Sequence, residues 1–189
     1  FRRVLFRSSY FSNARCTDMM KEARATRPDM YRYSMGALFT DTEALKSTDR
    51  LATLKVWEQP IDTAYYVIGA DPAYGSSDWA DRFCLSVWRC YADGMEQVAE
   101  FATSELNTYQ FAWVISHLAG AYKNSTLNLE MNGPGQAVVN ELRNLKRQAM
   151  SVGGTYGRDL MDVLGHMQNY LWRKNDTLSG PSNSIEIGR

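Results

Sequence analysis

Residues 65–71 read Tyr-Tyr-Val-Ile-Gly-Ala-Asp, an apolar run that is rich in strand-favouring residues and ends on an acid. Residues 72–78 read Pro-Ala-Tyr-Gly-Ser-Ser-Asp, a composition that is typical of a loop. A short continuous apolar run bounded by turn residues predicts a buried strand. The sequence therefore predicts a strand at Tyr65–Ala70, with Asp71 just past its C-terminal end.

The residues after this strand contain further elements. A hairpin signal at Asp93-Gly94 and a stripe of apolar residues at helical spacing after Asn107 or Thr108, either of which can cap a helix, are the clearest patterns. The predicted elements are strands Arg82–Tyr91 and Gln97–Ala102, helix Tyr109–Lys123, strand Thr126–Leu129, helix Gln136–Leu145 and a helix near Asp159–Leu171.

This order predicts an α/β, RNase H-like fold with a mixed sheet and flanking helices. Three sequential strands are followed by a helical crossover, and the usual right-handed crossover places the fourth strand beside the first and parallel to it. Asp71 and Glu130 each follow one of these two strands. Because neighbouring strands are ~4.8 Å apart, the two carboxylates are expected to converge at one edge of the sheet.

Two adjacent carboxylates suit a divalent cation. They repel each other unless a cation lies between them, and hard ions such as Mg²⁺ take carboxylate oxygens together with water and phosphate. Paired metal ions can activate water and stabilise the leaving oxygen in phosphodiester cleavage. Either acid taken alone is more often an ordinary turn residue at a strand end, and only the pair favours a metal site.

Several stretches resemble the nuclease domain of phage terminase large subunits. The resemblance covers roughly residues 61–184. The matching segments are Val67–Gly75, Asp81-Arg82 before a strand, Leu129–Gly135, Leu171–Lys174 and Ser179–Pro181. This family implies a metal-dependent endonuclease that cuts concatemeric double-stranded viral DNA during genome packaging.

The resemblance also assigns roles to individual acids. It implies that Asp71 and Glu130 bind Mg²⁺ or Mn²⁺ in a two-metal site, and that Asp81 assists, with Asp78 as a weaker alternative to Asp81. The family carries a further carboxylate near its C-terminus that nothing in this sequence matches. The fold is therefore expected to be truncated at its C-terminal side, and the chain alone to show little nuclease activity.

The resemblance further implies domains that lie outside this sequence. Terminase large subunits carry an N-terminal ATPase, yet the sequence contains no G-x-x-x-x-G-K-[ST] phosphate loop, so ATP would bind in a preceding domain. Residues 9–60 are interpreted as the end of that ATPase domain and a linker arm, with short helices around Thr17–Thr26 and Thr42–Ser47. Residues 61–185 are interpreted as the incomplete nuclease domain.

The two ends of the chain fit one DNA sequence read in opposite directions. Arg2–Ser8 can be back-translated into a DNA string whose reverse complement, preceded by G, encodes Glu186–Arg189. That string resembles a sequencing adapter. Residues 1–8 and 186–189 are therefore interpreted as foreign, and both are expected to lie outside the domain.

The expected partners follow from the same resemblance. They are double-stranded viral DNA, a portal protein and a small terminase subunit, in the host cytoplasm at the procapsid, with no membrane. Five basic residues could contact DNA phosphates or simply form a solvated surface: Lys146, Arg147, Arg158, Arg173 and Lys174.

Composition bounds these interpretations. Hydrophobic residues make up 44% of the chain, which excludes global disorder, and a formal net charge of +0 neither supports nor excludes a DNA-binding surface. No apolar run approaches the ~20 residues of a membrane span. His117 and His166 have no metal-ligand spacing around them, which favours structural roles.

Two other functions stay open at this point. An actin-like or sugar-kinase-like ATP-binding domain also begins with a strand, an Asp-x-x-x-Gly loop and a hairpin, although Leu129–Gly133 argues against it. A non-catalytic fragment that clamps DNA or docks to the packaging motor is the other. ATP binding would favour the first, and a harmless Asp71→Ala substitution would favour the second.

Overall fold

A computed structural model describes residues 12–48, 52–74, 81–151, 171–173 and 184–187. These residues form three α-helices, one short 3-10 helix and nine strands. In chain order they are α1 Asn13–Ala25, β1 Asp29–Ser34, the 3-10 helix Phe39–Asp41, β2 Glu43–Lys46, β3 Leu54–Val56, β4 Tyr65–Asp71, β5 Phe83–Cys90, β6 Met95–Thr103, α2 Thr108–Ala121, β7 Ser125–Glu130, α3 Gly135–Ser151, β8 Leu171–Arg173 and β9 Ser184–Ile187.

The nine strands form a single mixed sheet in the order β2-β1-β3-β6-β5-β4-β7-β9-β8. The sequential strands β4, β5 and β6 are antiparallel neighbours, and α2 then leads to β7, which lies beside β4 and parallel to it. Ile68 of β4 pairs with Leu127 of β7. The predicted α/β, RNase H-like arrangement with a mixed sheet and flanking helices is confirmed.

The helices α2 and α3 contribute their buried side chains to the core on one face of the sheet. Alternate residues of β4 are buried, and the rings of this face contact α2: the ring centroids of Phe83 and Phe111 are 4.9 Å apart, and those of Tyr66 and Tyr122 are 5.0 Å apart. The remaining β4 residues, including Asp71, alternate onto the opposite face. None of the described helices is long and apolar enough to cross a membrane.

Part of residues 9–60 extends the sheet. β3 pairs with β6, placing Leu54 opposite Phe101, and Lys55 Nζ lies 3.1 Å from Glu100 Oε1. The strands β1 to β3 are therefore continuous with the sheet, while a boundary between a linker arm and the nuclease domain near residue 61 stays a prediction. The origin of these residues in an ATPase domain stays a prediction.

The predicted helices in this region have opposite outcomes. α1 overlaps the helix predicted around Thr17–Thr26, and Ser12 caps it. The helix predicted around Thr42–Ser47 is wrong, because Glu43–Lys46 forms β2 and pairs with β1. The segment reads Glu-Ala-Leu-Lys, which favours a helix locally, but tertiary pairing overrides that weak preference.

Two residues of the predicted foreign C-terminal end, Glu186 and Ile187, belong to a strand of the sheet. β9 is antiparallel to β7, and Glu186 and Ile187 pair with Asn128 and Leu127. The expectation that residues 186–189 lie outside the domain is thus wrong for these two, because an open strand edge accepts backbone hydrogen bonds from almost any sequence. Residues 1–8 lie outside the described part of the chain, and the adapter origin stays a prediction.

The last predicted helix differs from the structure at its end. Leu171, placed at the end of a helix near Asp159–Leu171, instead begins β8, which pairs with β9. The rest of that predicted helix lies outside the described residues.

Candidate active site

Asp71 and Glu130 end two adjacent parallel strands. Ala70 pairs with Leu129 in the β4–β7 ladder, so the register places the next residues, Asp71 and Glu130, side by side. Ala70 and Leu129 are buried and the two acids are exposed, so both carboxylates lie on the sheet face opposite the helices. The predicted geometry of this pair is confirmed.

The electrostatics of Asp71 reflect this crowding. Burial raises the pKa of Asp71, and the charge of Glu130, a hydrogen bond with Glu130 and the charge of Asp81 raise this pKa further. Asp81, which precedes β5, is therefore near enough to Asp71 for its charge to act on it, while its role in the site stays a prediction. Glu130 and Asp81 thus add negative charge beside Asp71, a local excess that a bound cation would offset.

The turn after Glu130 has an unusual backbone. Gly133 has φ of +55°, a left-handed conformation, and a Cβ at this position would lie 2.8 Å from Cε2 of Tyr74. A Cβ at Gly135 would overlap the carbonyl oxygen of Glu130. Both glycines of the Glu-x-Asn-Gly-x-Gly segment are therefore needed for the turn to pass close to Tyr74 and to Glu130.

One further side chain contacts this acid pair. Asn132 Nδ2 donates a hydrogen bond to Glu130 Oε1 over 3.0 Å. The sequence interpretation did not single out Asn132 or Tyr74. The available signal was the Asn-Gly-Pro-Gly turn two residues after Glu130, because such a turn brings its own side chains back toward the strand end.

A cavity of about 710 Å³ lies on the same sheet face as the two carboxylates. It extends across β4, β5, β6 and β7. Its polar lining consists of Asp71, Cys84, Ser86, Gln97, Glu100, Asn128, Glu130 and Asn132. Both candidate metal-binding acids are part of this lining, so a polar substrate in the cavity would meet them directly.

The donors suit a hard divalent cation that keeps other ligands. Within the described residues, no group of three or more His, Cys, Asp or Glu side chains is arranged to hold a metal ion. Asp71 and Glu130 nevertheless offer carboxylate oxygens beside each other, and Mg²⁺ is usually bound through one or two carboxylates plus water and substrate phosphate. These two residues therefore fit such an ion.

The predicted DNA-contacting residues in the described part of the chain, Lys146, Arg147 and Arg173, are not gathered at this pair. Lys146 and Arg147 lie toward the far end of α3, about 16 Å along the helix from Gly135 at 1.5 Å per residue. Arg173 pairs with Ile185, which pairs with Leu129, so its backbone is two strands from the site. Residues Asp78, Arg158 and Lys174 lie outside the described part of the chain.

Comparisons with known proteins give structural matches only. No protein-family model and no curated protein matches the sequence. Three solved structures of the large terminase nuclease from thermophilic phage G20c are similar to the chain. The first has 16% identity and a TM-score of 0.42, over 74% of this chain and 81% of the other.

The other two structures contain metal ions. The structure with bound cobalt is 16% identical, with a TM-score of 0.43 over 74% of this chain and 80% of the other. The structure with bound magnesium is 15% identical, with a TM-score of 0.41 over 75% of this chain and 80% of the other.

Proposed function

We propose that this chain carries the nuclease region of a phage terminase large subunit, a metal-dependent endonuclease that cuts concatemeric double-stranded DNA during genome packaging. The observation that carries this proposal is the placement of Asp71 beside Glu130 at the ends of two parallel strands. Both acids lie on the open sheet face and line one cavity.

The three acids have two different tasks in this reaction. Asp71 and Glu130 supply charged oxygens that hold one or two Mg²⁺ or Mn²⁺ ions next to the cavity. Asp81 contributes negative charge near Asp71 and so favours cation binding without being a required ligand. When bound, the ions supply activation of a water molecule and stabilisation of the leaving oxygen at the scissile phosphate.

The proposed partners are viral DNA, the portal protein and the small terminase subunit, and the proposed place of action is the procapsid in the host cytoplasm. DNA would lie across the face of the sheet that carries the carboxylates. Among the predicted basic residues that the structure describes, Arg173 has its backbone two strands from Leu129. Lys146 and Arg147 are on a helix at the other face, so they would contact DNA outside the cutting site.

A plasmid-nicking assay tests the proposal. The chain alone is expected to cut little in Mg²⁺ or Mn²⁺, and the chain extended by its natural downstream residues to nick duplex DNA with little sequence preference. In the extended chain, Asp71→Asn and Glu130→Gln each replace a ligand charge at nearly constant volume. Each should abolish nicking while the thermal unfolding transition is retained, and a chelator should abolish it in the parent.

The same assay separates the rival functions. Undiminished nicking by either variant would mean that the active site lies elsewhere. ATP binding by the chain, without metal-dependent nicking by the extended chain, would favour a kinase-like domain. DNA binding without any cutting by the extended chain would favour a clamp or a docking fragment.

A further inference from the structure

The carboxylate of Glu130 has two polar neighbours, Asp71 and Asn132. Asn132 Nδ2 donates to Oε1 over 3.0 Å. An exposed glutamate normally samples several rotamers, and ordering such a side chain costs up to about 2 kcal/mol of conformational entropy. A hydrogen bond to one oxygen limits that freedom before any ligand arrives.

Asn132 is itself fixed from two sides. Its backbone carbonyl oxygen accepts a hydrogen bond from Gly135 N over 3.2 Å at the start of α3. The neighbouring Gly133 adopts its left-handed conformation against the ring of Tyr74, which belongs to the loop that follows Asp71. The turn after one acid is therefore packed against the loop after the other.

Two atoms of Asn132 make two different contributions. The backbone carbonyl serves the turn, a role that any turn-compatible residue can fill, and asparagine and serine are both common in turns. The side-chain amide contacts a carboxylate, and a turn does not need that contact. The two contributions can therefore be separated by substitution.

We propose that Asn132 is a positioning residue, whose amide holds Oε1 of Glu130 and so orients this carboxylate for a divalent cation that it would bind together with Asp71. The inference rests on the proposed function, because it needs Asp71 and Glu130 to be metal ligands. Hydrogen bonds to metal-binding carboxylates are a general means of orienting them, and their loss typically weakens metal binding by ~10–100-fold.

A Mn²⁺ titration of the chain up to millimolar concentrations tests this inference. The electron paramagnetic resonance signal of free Mn²⁺ measures how much of the ion is bound. Asn132→Ala and Asn132→Ser should both weaken binding about 10-fold, because neither side chain can reach Glu130 with an amide. Asn132→Gln keeps an amide donor and should retain affinity within about threefold. The matched control Asn140→Ala, on the exposed surface of α3, should leave binding unchanged.

A role confined to the turn predicts the opposite order. Serine would then preserve Mn²⁺ binding and glutamine would lose it, and this result would overturn the inference even if Asn132→Ala failed to fold. Glu130→Gln distinguishes a failure of the proposed metal site from a failure of the role proposed for Asn132. If Glu130→Gln binds Mn²⁺ like the parent, the proposed site is wrong; if it loses binding while Asn132→Ala and Asn132→Ser do not, only the role of Asn132 is wrong.

Discussion

At the scale of single residues, Asp71 combines features that stability alone does not favour. Its side chain is partly buried and lies near the charges of Glu130 and Asp81, and all three effects raise its pKa. Perturbed acids next to a polar cavity are concentrated at functional sites, where electrostatic strain is relieved by the ligand. Stability and binding should therefore respond in opposite directions when this charge is removed.

Asp71→Asn should stabilise the metal-free chain. Removing one charge from the cluster relieves its repulsion, and since Asp71 is largely solvent-screened we expect a rise of about 1–3 °C in Tm. Mn²⁺ should raise the Tm of the parent and not that of the variant, because only the parent binds the ion in the folded state. Thermal unfolding with and without Mn²⁺ measures both effects, with Asp93→Asn in the β5–β6 turn as the control. A lower Tm for Asp71→Asn without metal would contradict the repulsion.

His117 should make stability depend on pH. It packs against Phe39 and Tyr33, at ring-centroid distances of 5.3 and 6.0 Å, and burial lowers its pKa below the usual 6.5. Unfolded His117 therefore binds a proton at a higher pH than folded His117, so its effect is absent above about pH 7 and destabilises the fold as the pH falls through 6.5. When the pH is lowered from about 7.5 to 5, the Tm of the His117→Phe variant should fall less than that of the parent. Equal losses would mean that His117 does not contribute.

The glycine that opens α3 should tolerate no side chain. A Cβ at Gly135 would overlap the carbonyl oxygen of Glu130, so Gly135→Ala must displace the strand end and should cost about 1–3 kcal/mol in unfolding free energy. Gly94, in the β5–β6 turn, has nothing within 4 Å of its Cβ position, and Gly94→Ala should stay within about 0.5 kcal/mol of the parent. Urea unfolding measures both; equal stabilities would refute the close approach at Glu130.

At the scale of elements, α2 links two parts of the sheet. Phe111 of α2 packs on Phe83 of β5, while His117 of the same helix contacts Phe39 in the segment between β1 and β2. α2 is also joined to α3, where Trp113 Nε1 donates to Glu141 Oε1 over 3.0 Å. The N-terminal strands and the strands that carry the site therefore share one helical layer and should unfold together.

A chain that begins at Ile61 should be much less stable than the whole chain. It would lose the buried Leu54 and Val56, as well as the hydrogen bond from the Tyr122 hydroxyl to the Glu58 carbonyl oxygen at 2.9 Å, and it would leave β6 with an open edge. We expect Tm to fall by at least about 10 °C. Calorimetry of the two chains measures this difference, and Leu54→Ala in the full chain should reproduce part of it. An unchanged Tm would favour the interpretation of residues 9–60 as a separate arm.

At the scale of the whole molecule, the sequence predicted the parts whose signals are local. β4 is a short apolar run, and β7 alternates two leucines with polar residues. α2 has both a regular apolar stripe and its cap, where Asn107 Oδ1 accepts from Gln110 N over 2.9 Å. The order of these elements also predicts that β7 lies beside β4, so the proximity of Asp71 and Glu130 was predictable too. Chain topology thus sufficed to find the candidate site.

The parts that the sequence did not predict depend on contacts between distant residues. β1 to β3 are short and partly polar, and β3 is fixed by pairs such as Leu54 with Phe101, which no local pattern encodes. The hydrogen bond from Asn132 to Glu130 likewise occurs in a turn with a left-handed Gly133, which an Asn-Gly-Pro-Gly sequence permits but does not dictate.

X-ray diffraction from crystals of the chain soaked in Mn²⁺, recorded for anomalous scattering, tests most directly whether the acid pair is a metal site. We expect the strongest anomalous peak between the carboxylates of Asp71 and Glu130, with oxygen ligands at roughly 2.1 Å by analogy with Mg²⁺, and we expect Glu130→Gln crystals to lack it. Mn²⁺ bound elsewhere, with no peak at these two residues at saturating concentration, would contradict the assignment of this sheet edge as the nuclease site.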